Sequence, residues 1–270
     1  MVHYQAFEVQ ASEGVGHVRI NRPAKANAMD AAFWAEIPQV FEALDDDPNV
    51  RVIILSGAGK HFSAGIDLGL LAAIAGELGR DAGRNARQLR RRITQMQQAF
   101  NALEACSKPV LAAIHGYCLG AGIDLIAACD LRYAAADAQF SIKEIDMGMV
   151  ADVGTLQRLP HLIGAGMLRE LAFTGRHFDA AEALRIGLVN QVHADSASLL
   201  SAVQALAVEI AGKSPLAVSG TKRMLNYMRD HSVADGLDYV ATWNAAMLQA
   251  PDVQLALGAS LSKTTPRFDD

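Results

Sequence analysis

The chain has 270 residues, 51% of them hydrophobic, enough for one large domain or a domain with a helical appendage. Its net charge of −5 argues against nucleic acid or an anionic membrane as the main partner. No uninterrupted apolar run is long enough for a membrane span. Cys106, Cys118 and Cys129 lack metal-ligand spacing and read as buried reduced thiols in a reducing compartment. With no basic, apolar leader at the N-terminus and no SKL-like ending after Thr264, the expectation is a soluble, cytoplasmic protein.

In chain order, residues 4–10 and 15–21 alternate well enough to form a hairpin around Ser12-Glu13-Gly14, which Asn21-Arg22-Pro23 breaks. Asp30 is placed to cap a helix through Phe33, Ile37, Val40, Phe41 and Leu44, ended by Asp45-Asp46-Asp47-Pro48. Val50–Ser56 is a strand rich in β-branched residues, expected to be buried on both faces and closed by Gly57-Ala58-Gly59. Phe62–Asp67 then runs from a loop into a helix, and a further helix is expected near Ala86–Ala105. The stretch Val110–Asp130 repeats the unit. It reads as a strand (Val110–Ile114), a turn holding Gly116, Gly120 and Gly122, and a helix from about Ala121 with Asp124 at its entrance. The first amides of a helix have no internal partners and lie at the positive end of its dipole, so such an entrance can hold a developing negative charge. The same pattern also fits an ordinary strand-to-helix corner.

Leu131–Ala134 and Gln139–Ile142 read as short strands. Beyond Phe173 the pattern changes to helices at Asp179–Ile186, Ser196–Ala211 (capped by Asp195 or Ser196), Pro215–Arg229 and Ser232–Gln249. Successive strand, glycine-rich turn and helix units argue for an α/β core. The helical portion that follows packs on the core or on another subunit.

Two turns, Ser63–Asp67 and Leu119–Gly122, place free amides near a common pocket. An oxyanion hole takes one donor from each of two loops, and each donor is worth roughly 3–4 kcal/mol of transition-state stabilisation. Downstream, Glu144, Asp146 and Asp152 sit in otherwise apolar company, which raises proton affinity and suits acid/base work near neutral pH. The competing reading leaves Glu144 and Asp146 exposed and makes Asp152 the cap of a helix beginning near Val153; for Asp146 that reading is preferred. His61 and His115 are lone histidines with no catalytic partner in the sequence. Arg84, Arg87, Arg90, Arg91 and Arg92 form a basic run, read first as a solvated helix face.

Read together, AGID at 64–67, GYCLGAGIDLIAACDLRYAAADAQFS at 116–141, KEIDMGMVADVGTLQRLP at 143–160 and LAFTGRHFDAAEALRIGLVNQV at 171–192 resemble the crotonase (enoyl-CoA hydratase/isomerase) superfamily. The resemblance covers nearly the whole chain and is nearest to the 3,5-2,4-dienoyl-CoA isomerases. It implies a crotonase spiral of repeated ββα units over residues 1–195 and a helical oligomerisation region over 196–270, giving a homotrimer or homohexamer. It makes the amides of Ile66 and Ala121 the oxyanion hole, although the second position is normally glycine in the family. A helix start accommodates the extra Cβ.

The resemblance assigns catalysis to Asp124, Glu144 and Asp152. Hydratases of the family carry glutamates at the first two positions and use both on a water; the shorter Asp124 and the third acid match the isomerases. Moving two conjugated double bonds toward the thioester takes a proton from carbon 2 and delivers one to carbon 6. Glu144 is expected at carbon 2 and Asp152 at carbon 6, with Asp124 hydrogen-bonded to Glu144 and tuning it. Lys25, Ala26, Ala64, Gly65 and Asp67 are the implied contacts to the coenzyme A thioester, Asp67 reading also as a helix cap. The arginine run is a second candidate for the coenzyme A phosphates. No metal and no separate cofactor is implied, coenzyme A being part of the substrate. Enoyl-CoA hydration is the alternative activity, and a non-catalytic or RNA-binding homologue a more remote one, supported by the basic helix alone.

Overall fold

The computed structural model describes residues 3–269. Its backbone is a six-stranded sheet begun by the antiparallel hairpin β1 (Phe7–Ser12) and β2 (Val15–Ile20). The strands β3 (Val52–Gly57), β4 (Val110–Ile114), β6 (Leu131–Ala135) and β9 (Gln191–His193) continue it in parallel, in the order β1-β2-β3-β4-β6-β9. A second sheet lies beside it: β5 (Tyr117–Leu119), β7 (Gln139–Ser141) and β8 (Phe178–Asp179), extended by a bridge between Ser63 and Cys118.

The chain thus repeats one path. A long strand in the large sheet leads to a short piece in the small one and then to a helical turn. β3 leads through Ser63 to α2 (Leu68–Gly76), and β4 through β5 to α4 (Ala121–Ala127). β6 leads through β7 to a 3-10 turn at Lys143–Met147 and α5 (Thr155–Arg158), and α6 (Ala165–Thr174) and α7 (Ala180–Arg185) follow before β9.

Every residue of β3 and β4 is buried because both faces are covered. Ile53, Leu55, Val110, Ala112 and Ile114 join Phe33 and Phe41 of α1 (Ala31–Asp46) and Phe100 and Leu103 of α3 (Ala82–Ala105) in the main core. Val52, Ile54, Leu111 and Ala113 meet Leu199, Val203 and Ala207 of α8 (Ser196–Ala211) on the other face. Asp30 caps α1, its carboxylate accepting from Phe33 N at 3.0 Å. Asp195 caps α8 in a capping box with Ser198.

The expected division after residue 195 falls immediately before α8, whose inner face belongs to the sheet. Much of the apolar content of 203–210 therefore has a use inside the chain, with Val203 and Ala207 buried and Val208 exposed. The helices beyond it differ. α9 (Pro215–Tyr227), α10 (Val233–Met247) and α11 (Pro251–Ser262) bury few side chains. They leave Leu225, Val233, Leu237, Leu248, Leu257 and Leu261 exposed. α9 is fixed to the core by Lys222, whose buried ammonium donates to Leu103 O (2.9 Å) and Lys108 O (3.0 Å) and pairs with Asp130 at 2.8 Å.

Candidate active site

Two loops meet at the N-terminal end of α4. In the first, Met29 bridges Ile66: Met29 N donates to Gly65 O at 2.8 Å and Asp67 N to Met29 O at 3.0 Å. A parallel bridge uses the groups that flank its central residue and turns the central amide the other way. Ile66 N accordingly has no acceptor among the described residues, and neither has Ala121 N, the first helical amide of α4. The loops touch because Gly65 lies at φ +87°. A Cβ there would stand 2.6 Å from Leu119 O and 3.2 Å from Ala121 N. Gly120 turns the chain into α4 at φ +51°, a conformation that favours glycine. Ala121 has no positive φ and carries its Cβ in an ordinary helical position, so its amide is placed as a glycine's would be.

Both amides border a cavity of about 390 Å³ whose lining includes Ile66, Gly120, Ala121, Glu144, Met147 and Met149. Glu144 projects from the 3-10 turn Lys143–Met147, and Gly120 keeps room for it: a Cβ at 120 would meet Glu144 Oε1 at 3.3 Å. Asp124, one turn into α4, is completely buried. Its Oδ1 accepts from Thr155 N at 2.6 Å. Its Oδ2 is buried with no donor, and so is Glu144 Oε2. Burial pushes Glu144 up to about 7, with the adjacent Asp124 carboxylate adding to the rise. Burial likewise pushes Asp124 up to about 6, against the pull of its bonds to Thr155. A proton held between the two carboxyls would supply the donor that both lack.

Asp152 is set apart from this pair. It is exposed and borders a different, polar cavity of about 690 Å³ together with Gln97, Asn101, Glu104, Arg158 and His161. Desolvation holds its proton affinity above the ordinary aspartate value, and its charge raises that of both Asp124 and Glu144. The structure thus brings Asp124 and Glu144 together and sets Asp152 beside a neighbouring cavity within electrostatic reach of both.

Asp152 does not cap a helix at Val153. α5 begins at Thr155 behind Gly154, and the carboxylate that accepts from its first amide is Asp124, 31 residues earlier. Asp67, placed by resemblance among the thioester contacts, has its carboxylate committed elsewhere. It caps α2 through Gly69 N at 2.8 Å and pairs with Arg22 at 3.2 Å. Lys25 is exposed on the 3-10 turn Pro23–Lys25, and the next residue, Ala26, accepts from Ala64 N at 2.9 Å, tying that turn to the Gly65 loop.

Asp146 is exposed and paired with Lys143. His115 bonds Gly59 O at 2.9 Å, while His61 stacks on Tyr117 with ring centroids 4.3 Å apart. Arg84, Arg87, Arg90 and Arg91 are exposed, and Arg92 pairs with Glu77 at 3.1 Å. Sequence reading missed Thr155, Arg158 and the methionines at the cavity.

A family model described as enoyl-CoA hydratase/isomerase matches residues 10–270. The chain belongs to this family. This family member is 50% identical over 273 residues to the peroxisomal Δ(3,5)-Δ(2,4)-dienoyl-CoA isomerase of Arabidopsis thaliana, covering 99% of this chain and 98% of that one. It is 50% identical over 260 residues to the human mitochondrial Δ(3,5)-Δ(2,4)-dienoyl-CoA isomerase, covering 95% and 79%. The crystal structure of an enoyl-CoA hydratase from Bacillus anthracis superposes with a TM-score of 0.90 at 31% identity, covering 98% and 99%. The fold is therefore the crotonase spiral with a helical C-terminal region, and the chain is an enzyme of the hydratase/isomerase family. The cytoplasmic expectation is overturned, since these isomerases are named peroxisomal and mitochondrial. Buried, unpaired thiols speak to redox state, and redox state does not single out one compartment.

Proposed function

We infer that the protein is an isomerase that converts 3,5-dienoyl-CoA to 2,4-dienoyl-CoA, a step in the β-oxidation of unsaturated fatty acids. The thioester oxygen faces the amides of Ile66 and Ala121. Glu144 takes the proton from carbon 2, and the C–H pair flows into a dienolate whose negative oxygen those amides stabilise. Asp152 then returns a proton at carbon 6, so that one C–H bond is broken, one is made, and both double bonds have moved. Asp124 touches no reacting atom in this scheme. Its charge beside Glu144 raises that group's affinity for the carbon 2 proton.

The observation that carries the reading is Asp124 itself. A hydratase of this family would use the residue at this position to hold the attacking water. Here it is wholly buried and one of its oxygens is spent on Thr155 N. The similarities point the same way. Relatives named as dienoyl-CoA isomerases share 40–50% identity, whereas a crotonyl-CoA hydratase and a short-chain-enoyl-CoA hydratase share 36%.

The exposed leucines of α10 and α11 support assembly of this enzyme as a trimer or a dimer of trimers. Incubation with a 3,5-dienoyl-CoA and, separately, a 2-enoyl-CoA, followed by ultraviolet absorbance, tests the activity. Isomerisation should outrun hydration, and hydration faster by tenfold or more would replace this reading with the hydratase one.

A further inference from the structure

We propose that Arg158 is a positioning residue that clamps the turn carrying Asp152 and the Thr155 amide onto α3, and so holds the carbon 6 acid in register with the Asp124–Glu144 pair. The proposal rests on the isomerase reading above.

The turn is folded around the guanidinium. Gly154 lies at φ +136°, and a Cβ there would stand 1.7 Å from Arg158 Nη1, so glycine is required for space as well as for conformation. Arg158 Nη2 donates to Asn101 Oδ1 at 2.7 Å and to Glu104 Oε2 at 2.5 Å, both on α3, while Nη1 donates to Val153 O at 3.3 Å. One planar fork therefore joins α3 to the residue between Asp152 and Gly154. Gln97 Nε2 adds a second tie from α3 by donating to Asp152 O at 2.7 Å. Glu104, the anchor, also pairs with Arg229 just beyond α9. Burial pushes Glu104 up, but its bonds to the two arginines outweigh this and leave its carboxyl below the usual range.

These ties act on backbone, and among the described residues the only donor to the Asp152 carboxylate is its own backbone amide. Its placement comes from the turn. The same turn delivers Thr155 N to Asp124 at 2.6 Å, so one clamp sets two acids from opposite sides. The remaining guanidinium nitrogen, Nε, is buried without a partner, and the side chain lies against the 690 Å³ cavity. Small cations can reach the space that a truncated Arg158 would leave.

Arg158→Ala tests the clamp when two rates are measured on one sample: isomerisation of 3,5-dienoyl-CoA, and exchange of its carbon 2 protons with deuterated solvent. Exchange needs Glu144, which Asp124 tunes, and the two amides, but not Asp152. Misplacing Asp152 by about 1 Å should lower kcat for isomerisation by about 10²-fold, with KM little changed and exchange largely kept. Guanidinium ion at millimolar concentration should restore part of the isomerisation. Arg158→Lys should not restore it, because an ammonium cannot span Asn101, Glu104 and Val153 together. Should Arg158→Ala not fold, Asn101→Ala removes one partner of the fork and must raise the ratio of exchange to isomerisation in the same direction. Equal loss of both rates in these variants, or no loss, overturns the proposal. Wild-type turnover distinguishes the two levels of the argument. Its absence removes the isomerase reading and the clamp with it, whereas turnover with an unchanged ratio in the variants removes only the clamp.

Discussion

Around α4, Asp124 is fully buried and keeps one oxygen without a donor, whereas along α10 and α11 Leu237 and Leu261 remain 63% and 88% exposed. The two regions break opposite rules. The first buries polar atoms that the chain does not satisfy, and the second exposes apolar atoms that the chain does not cover. Each shows where something outside the chain completes the molecule. In the proposed reading the partner at α4 is a proton, exchanged with a substrate that faces Ile66 N and Ala121 N. At the C-terminal helices the proposed partner is a second copy of the chain.

The comparison breaks most visibly at Glu144. Glu144→Gln keeps the shape of the cavity but removes the base, and turnover of dienoyl-CoA should fall by roughly 10²–10⁴, the usual contribution of one positioned acid or base. Turnover within threefold of wild type would leave the buried pair without a catalytic role.

The other region is tested by charge. Val233→Glu and Leu237→Glu place carboxylates on one face of α10, where both native side chains are exposed in the single chain. Burying each native side chain against a partner contributes about 1.5–3 kcal/mol, so the double variant should sediment as a smaller species than wild type at micromolar concentration. A wild-type protein that already sediments as a monomer would show that these side chains face solvent in the working enzyme.

A smaller effect sharpens the contrast through pH. The Glu144 carboxyl binds its proton more tightly folded than unfolded. As pH rises from about 4.5 to about 7 the unfolded chain ionises first, and stability falls across that window and stays low above it. Glu144→Gln removes this penalty, so it should be more stable than wild type at pH 8, by on the order of 3 kcal/mol and with a higher melting temperature, and match it at pH 4. A variant less stable than wild type at pH 8 would mean that the ionised carboxylate is well solvated in the fold.

The two regions were also unequally legible in the sequence. Val110–Ile114 and Ser196–Ala211 have the bounds expected, because a continuous apolar run and a capped amphipathic repeat are local signals. The strands β5, β8 and β9 span two or three residues each and carry too few positions for a period to show. α11 was missed as well; its apolar residues are mostly exposed and follow no buried stripe. At the site, Gly65 and Gly120 were legible as turn residues, although what they approach, Leu119 O and Glu144, is set by tertiary packing. The cap on α5 comes from Asp124 across 31 residues, which no local pattern encodes, so Asp152 was offered a capping role that the fold gives to another acid. The segment 203–210 is apolar for the sheet beneath it, a use that composition alone does not separate from an oligomer face.

The central claim is that Glu144 and Asp152 serve opposite ends of the diene, and Asp152→Asn tests it most directly. The side chain is exposed and caps no helix, so the substitution should leave stability within about 0.5 kcal/mol. Isomerisation of 3,5-dienoyl-CoA should fall by roughly 10²–10⁴. Exchange of the carbon 2 proton with deuterated solvent should persist, because Glu144 and the Ile66 and Ala121 amides are untouched. Turnover near the wild-type rate, or loss of exchange together with turnover, would contradict the account.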